Sequence, residues 1–216
     1  MNIKDVVSHK KEFITIDDNL KYKRCRVQLR GQGIVLRDEV FGENIKTKRQ
    51  QICQAKDFLV AEIDAKFGGY GIVPNELDGA VVSSHYFLFK IDKTRLLPEY
   101  LSIFLKLDVF ASQIKATGST NYAAIRPQHV LNYKIALPII EVQQKLVDNY
   151  YGDIKKAERL ESEVIAKTKQ IEEVLFNELG ISIEQKQAPK KQLIFIKFEN
   201  LREWGIDKIF GNNFSN

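Results

Sequence analysis

Residues 42–51, Gly42-Glu43-Asn44-Ile45-Lys46-Thr47-Lys48-Arg49-Gln50-Gln51, gather three cations and three side-chain amides in one short stretch. Arginine can fork onto guanine, glutamine and asparagine onto adenine, while lysine mainly neutralises phosphate, so this is donor chemistry suited to a nucleic-acid duplex. The plain alternative is a solvated loop. A second polar group, Ser119, Thr120, Asn121 and Tyr122 followed by Arg126, offers hydroxyls, an amide, an aromatic ring and a cation. Ser84 and His85 make a third, and Arg37 adds a further cation. The candidate DNA-contacting side chains are therefore Arg37, Lys46, Lys48, Arg49, Gln50, Gln51, Ser84, His85, Ser119, Thr120, Asn121, Tyr122 and Arg126.

Catalytic chemistry has little support beside this. His9, His85 and His129 are scattered, with no H-x-x-x-H or C-x-x-C spacing for a metal, so no metal ligands are expected. Cys53 has Arg49 and Lys56 nearby but reads as a structural cysteine rather than an activated thiol. Gly31-x-Gly33 and Gly68-Gly69-x-Gly71 lack the spacing that cradles phosphate and read as turns. Glu62 and Asp64 could flank a cleft, yet in a strand they share one face with no evident partner base. No catalytic residue is expected.

The elements that must position these groups follow from composition and period. The chain has 216 residues, 44% hydrophobic and 28% charged, which suits a globular protein and excludes a mainly disordered one. Two cysteines are too few for a disulfide framework and point to a reducing cytoplasm. The N-terminus lacks a signal-peptide pattern, and the apolar runs fall short of the roughly 20 residues a membrane helix needs. The net charge of +5 is uneven: residues 1–140 carry 21 Lys and Arg against 15 Asp and Glu, and residues 141–216 carry 12 against 13. A basic first part beside a near-neutral second part fits a polyanion footprint on the first.

Period-two alternation over 23–30 predicts a strand, broken by Gly31-Gln32-Gly33. Further strands are expected over 34–37, 58–63, 71–74, 81–91 and 133–137, the last closed by Pro138. Pro98 with Leu101, Phe104, Leu105 and Phe110 predicts one helix that ends before Gly118 and packs on the sheet, and 127–131 reads as a short turn.

From Glu141 to Leu179 there is no proline and one glycine, Gly152, which would mark a kink or break. An unbroken helix of that length spans roughly 58 Å. Leu146, Tyr150, Ile154, Ala157, Leu160, Val164, Ile171 and Leu175 recur at spacings of three, four or seven, a narrow coiled-coil stripe that requires a partner. Of these, Leu146, Tyr150, Ala157, Leu160, Val164, Ile171 and Leu175 are the candidate subunit-interface residues. Gly180 supplies a stop. By period and composition the chain divides into a mostly-β part over 1–140, a long helix over 141–180 and a tail over 181–216. The fold class is α+β, a mostly-β domain with packed helices followed by a long coiled-coil helix.

Several stretches taken in order resemble a target recognition domain of the specificity subunits of type I restriction-modification systems. They are Gly33-Ile34-Val35-Leu36-Arg37-Asp38, Gly42-x-x-Ile45-x-Thr47-Lys48, Asp57-Phe58-Leu59-Val60-Ala61-x-Ile63-Asp64-Ala65 and Gly71-Ile72-Val73-Pro74. Pro98-x-Tyr100-Leu101, Gly118-Ser119, Ile135-Ala136-Leu137-Pro138 and Glu141-x-Gln143-Gln144 continue the series over about residues 20–180. The resemblance implies a non-catalytic subunit that binds double-stranded DNA and directs an adenine methyltransferase subunit and an ATP-dependent restriction subunit to a split target. It implies no cofactor in this chain, with S-adenosylmethionine, ATP and Mg belonging to the partner subunits, no membrane association, and a cytoplasmic location. The resemblance implies a DNA target recognition domain over 1–140, a spacer or dimerisation helix over 141–180, and a linker with the incomplete start of a second recognition domain over 181–216; family members usually carry two recognition domains and two long antiparallel helices. Here the run 198–207 looks like the entrance to a second domain, so the chain reads as a half-subunit, a truncated chain or a frameshifted product. A half-subunit would restore the usual architecture by pairing with a copy of itself through the stripe. Two other readings compete: an interaction adaptor that uses the helix and ignores DNA, and an inactive truncated specificity gene.

Overall fold

Apolar residues at alternate positions set the architecture of the protein, seen here in a computed structural model that describes residues 1–114 and 124–180. In strand β6 (Phe58–Ala61) all four residues are buried. Phe58 and Val60 enter one hydrophobic core while Leu59 and Ala61 enter another, because successive side chains of a strand point to opposite faces. Strand β9 (Tyr86–Ile91) does the same, sending Phe87, Phe89 and Ile91 one way and Leu88 the other. A sheet buried on both faces must be the middle layer.

That middle sheet is antiparallel, in the order β1-β9-β6-β7, with β1 (Val7–Lys10) and β7 (Tyr70–Ile72) at its edges. One face carries the helices α1 (Pro98–Phe104), α2 (Asp108–Ala111) and α3 (Pro127–Leu131), which contribute Tyr100, Leu101, Phe104, Phe110 and Val130 to the larger core. Phe58, Phe89 and Phe110 are almost wholly buried there, each stabilising the fold by roughly 1.5–3 kcal/mol relative to exposure. The other face meets a second sheet of five strands, β2 (Phe13–Thr15), β5 (Arg49–Ile52), β8 (Val81–Val82), β3 (Lys21–Gln28) and β4 (Gly33–Phe41), hydrogen-bonded in that order. Cys25, Val27 and Ile34 from this sheet close on Leu59, Ala61 and Leu88. Its outer face holds a small cluster of Ile16, Ile45 and Val81. The class is α+β, as expected.

β3 and β4 form the longest ladder, from Lys21↔Phe41 to Gln28↔Gly33, with a register shift between Arg24 and Cys25. Beside the shift Arg24 grips Asp38 with Nε and Nη2, both 2.7 Å from carboxylate oxygens. Those hydrogen bonds hold the Asp38 carboxyl below its ordinary pKa. Cys25 and Cys53 are buried with their sulfurs 3.7 Å apart and are free thiols. Gly42 follows β4 where a Cβ would collide with the Asp17 carbonyl, a close backbone approach that only glycine permits.

Before the long helix, the structure corrects four readings of the elements. The single helix expected after Pro98 is two, α1 and α2, because Leu107 is extended (φ −82°, ψ 141°). The run 81–91 is two strands, interrupted at 83–85. Residues 133–137 form no strand: Lys134 makes an isolated bridge with Asn2, flanked by Ile3 N to Tyr133 O and Ile135 N to Met1 O. The turn expected at 127–131 is the helix α3.

The long helix is α4 (Ile140–Glu178), which runs through Gly152 without the expected break and is followed by Gly180 at φ +61°. The chain divides into two compact units, Met1–Glu158 and Arg159–Asn216. In the first, α4 is anchored by Gln143 and Val147, one turn apart, rather than by Leu146. Gln143 is fully buried; its Oε1 accepts from Leu97 N at 2.9 Å and its Nε2 donates to the carbonyls of Arg95 and Pro138 at 2.8 Å each. In the second unit, Arg159 and Glu163 form an ion pair of i,i+4 type at 3.6 Å.

Candidate nucleic-acid interface

Within the stretch 42–51, expected to act as one contact loop, residues 46–51 divide into an outward-facing part and a buried part. Lys46 is exposed and makes no ion pair among the described residues. Lys48 is committed within the fold: its ammonium pairs with Asp18 and donates to the Gly42 carbonyl at 2.7 Å. Arg49 is exposed, its guanidinium stacked over the Phe13 ring at 4.0 Å. Gln50 and Gln51 lie on β5 and are buried, at 7% and 3% exposure. Gln50 Nε2 donates to Thr47 O at 2.6 Å, and Gln51 Nε2 to Ser83 O at 3.0 Å and Tyr86 O at 2.8 Å. Gln51 spends both amide hydrogens on backbone carbonyls and has no donor left for a base, while the buried Gln50 spends one of its two.

Gln51 nonetheless builds a site, because the turn it holds carries Ser84 and His85, both exposed. His85 Nδ1 lies 2.9 Å from Glu62 Oε2, and Arg126 Nη1 donates to Glu62 Oε1 at 2.9 Å. The arrangement therefore brings together two predicted contact residues separated by 41 positions, through an acidic residue between them that sequence spacing had paired only with Asp64. Arg126 precedes α3, where its backbone N–H donates to His129 Nδ1 at 3.2 Å. Arg37 is exposed on β4, 3.6 Å from Asp38.

Burial pushes the Tyr86 phenol up, while Arg37 and Arg26 act in the opposite sense. Arg26, exposed on β3 opposite Val35, was not among the expected contacts; its only signal in the sequence is its place in the charged alternation of 23–30. Ser119, Thr120, Asn121 and Tyr122 lie outside the described residues. Among the described residues no group of three or more His, Cys, Asp or Glu could hold a metal ion, and no helix is long and apolar enough to cross a membrane.

Along α4 the expected interface residues are placed as follows. Leu146 is exposed to 46%, Leu160 to 47%, Val164 to 63%, Ile171 to 60% and Leu175 to 54%. Ala157 is exposed as well. Tyr150 is half-buried and accepts a hydrogen bond from Lys106 Nζ at 3.4 Å.

Two packed sheets with helices on one of them, and a long helix that begins beside the buried Gln143, define an α+β class of protein. The family model described as the type I restriction modification DNA specificity domain matches residues 1–150, and the chain belongs to that family. Among solved structures the chain is similar to an HsdS subunit from Thermoanaerobacter tengcongensis, with a TM-score of 0.63 and 20% identity over 79% of this chain and 46% of that one. It is also similar to a chain from a structure of complex assembly and conformational transition in a type I R-M system, with a TM-score of 0.58 and 20% identity over 83% of this chain and 48% of that one. These likenesses bear on the fold, and the chain spans about half the length of each. No curated protein matches the chain.

Proposed function

We propose that this chain reads one part of a split DNA target for a type I restriction-modification system and performs no chemistry itself. The reading rests on one observation above the others: the DNA specificity family covers residues 1–150, the same stretch that holds the exposed cations Arg26, Arg37, Lys46, Arg49 and Arg126. Cations of this kind attract phosphate through released counterions, and arginine additionally reads guanine edges in the major groove. An adenine methyltransferase subunit and an ATP-dependent restriction subunit would be its partners, and S-adenosylmethionine, ATP and Mg would be bound by them rather than by this chain.

The helix supplies the second half of the proposal. Leu160, Val164, Ile171 and Leu175 keep a spacing of four or seven and are each about half or more exposed. Such a stripe is buried by another helix of matching pattern, either that of a second copy of this chain or one in a partner subunit. A strut of roughly 58 Å would separate two readers by about 17 base pairs.

Two measurements test the two halves. Binding to a mixed-sequence duplex is expected to weaken with salt at a log–log slope near −5 for about six phosphates neutralised. A binding constant indifferent to salt, or no binding at low salt alone and with the methyltransferase, removes the DNA-reading role. Replacing Val164→Asp together with Ile171→Asp is expected to lower the sedimenting mass or abolish capture of the methyltransferase while the recognition domain stays folded. Unchanged mass and unchanged capture would take the stripe out of the account.

A further inference from the structure

Glu62 follows β6 and joins three stretches distant in sequence. Its carboxylate is divided between two side chains, Oε1 accepting from Arg126 Nη1 and Oε2 facing His85 Nδ1, each at 2.9 Å. Its backbone is used by the same neighbours: Glu62 N donates to His85 O and Glu62 O accepts from Ile125 N, again at 2.9 Å. The Glu62 side chain is only 16% exposed, whereas those of Arg126 and His85 are 67% and 73% exposed. A largely buried acid thus holds two outward-facing nitrogen donors from two different loops.

Stability is a poor explanation for the contact, because ion pairs with one exposed partner contribute little. Orientation is a better one. A free arginine loses rotamer freedom when it makes a two-pronged contact, and an arginine already tethered through Nη1 has lost much of it beforehand. Among the described residues, Nε and Nη2 of Arg126 have no hydrogen-bond partner. The charge arrangement fits as well, since the guanidinium neutralises the carboxylate that would otherwise repel phosphate.

We infer that Glu62 is a positioning residue for base discrimination, holding Arg126 and His85 in the geometry that reads the duplex. The inference rests on the DNA-reading function proposed above and assigns sequence discrimination to the Glu62 cluster. Phosphate attraction falls instead to cations such as Lys46 that have no carboxylate to orient them.

The test uses the 216-residue chain, alone and with the methyltransferase subunit of its system, and a library of duplexes carrying a randomised segment. Bound duplexes are sequenced over successive rounds. The wild type enriches a motif. Glu62→Gln and Arg126→Ala lose discrimination at one and the same base pair by about tenfold, and Glu62→Asp restores part of it. Glu62→Gln also binds unselected duplex more tightly, because a negative charge has been removed. A fold defect would weaken binding to every duplex, so this rise separates positioning from structure. If Glu62→Gln does not fold, Arg126→Ala and Glu62→Asp decide the matter. Undiminished discrimination in the variants, or losses at unrelated base pairs, would overturn the role of Glu62 while leaving the proposed function intact. A wild type that neither binds nor enriches any duplex overturns both.

Discussion

Residues 46–51 and the cluster of Glu62, His85 and Arg126 draw on the same donor chemistry and use it in opposite ways. In the first, a strand carries the amides of Gln50 and Gln51 inward, where they satisfy the backbone of Thr47, Ser83 and Tyr86. In the second, the backbone is satisfied by Glu62 and the nitrogen side chains are left facing out. Donor-rich composition therefore does not locate an interface. What separates the two regions is which groups the fold has already consumed, since a buried polar group must be paired and a paired one has little left to offer a ligand.

This contrast can be broken first at Gln51. Gln51→Ala strands the carbonyls of Ser83 and Tyr86, so the unfolding free energy is expected to fall by about 2 kcal/mol in urea titration. A variant as stable as the wild type, but altered in the base sequence it selects, would return Gln51 to the contact set. A smaller effect separates the two lysines of the same segment. Lys46→Ala is expected to reduce the magnitude of the log–log salt slope by about one, whereas Lys48→Ala changes it by less than about half of that, its ammonium being held by Asp18 and the Gly42 carbonyl. Equal changes in slope would mean that Lys48 leaves those partners when DNA arrives.

The smallest expected effect concerns His9, away from both regions, on edge strand β1 with ring centroids 5.4 Å from Phe89 and 6.2 Å from Phe87. Burial, helped by Lys11, lowers its pKa from the usual value. The unfolded chain then takes up the proton first, so the contribution is complete above pH of about 6.5 and is lost as pH falls through the folded value. The urea midpoint should drop between about pH 7.5 and about pH 5.5, and drop less in His9→Gln. Parallel midpoints would show that His9 contributes nothing to the decline.

The sequence carried the long elements well and the short-range polar ones poorly. The alternation through 23–30 and the proline-free run after Pro138 both correspond to observed elements, β3 and α4, because each repeats one period long enough to outweigh local exceptions. β5 went unread since its four residues, Arg49-Gln50-Gln51-Ile52, hold one apolar side chain and owe their place to pairing with β2 and β8. The apolar run 133–137 misled in the other direction: Tyr133 and Ile135 enter the helix-side core, but its backbone bridges only to the first residues of the chain at Asn2, and the Lys134 N–H and carbonyl are taken by the Gln113 side chain. Glu62 could not be found from spacing at all. Its partners lie 23 and 64 positions away, and only the stacking of β6 beside the turn after β8 and the entrance to α3 brings them within reach.

Gln143 ends as a matter of joinery. One amide clasps the main chain at Arg95, Leu97 and Pro138, so the stalk is keyed to two loops that lie more than 40 positions apart. Chimeras that exchange reading modules between such proteins will keep a true seating only if the splice carries both loops along with the helix start. A cut that keeps this glutamine but imports one foreign loop leaves a peg without half of its socket.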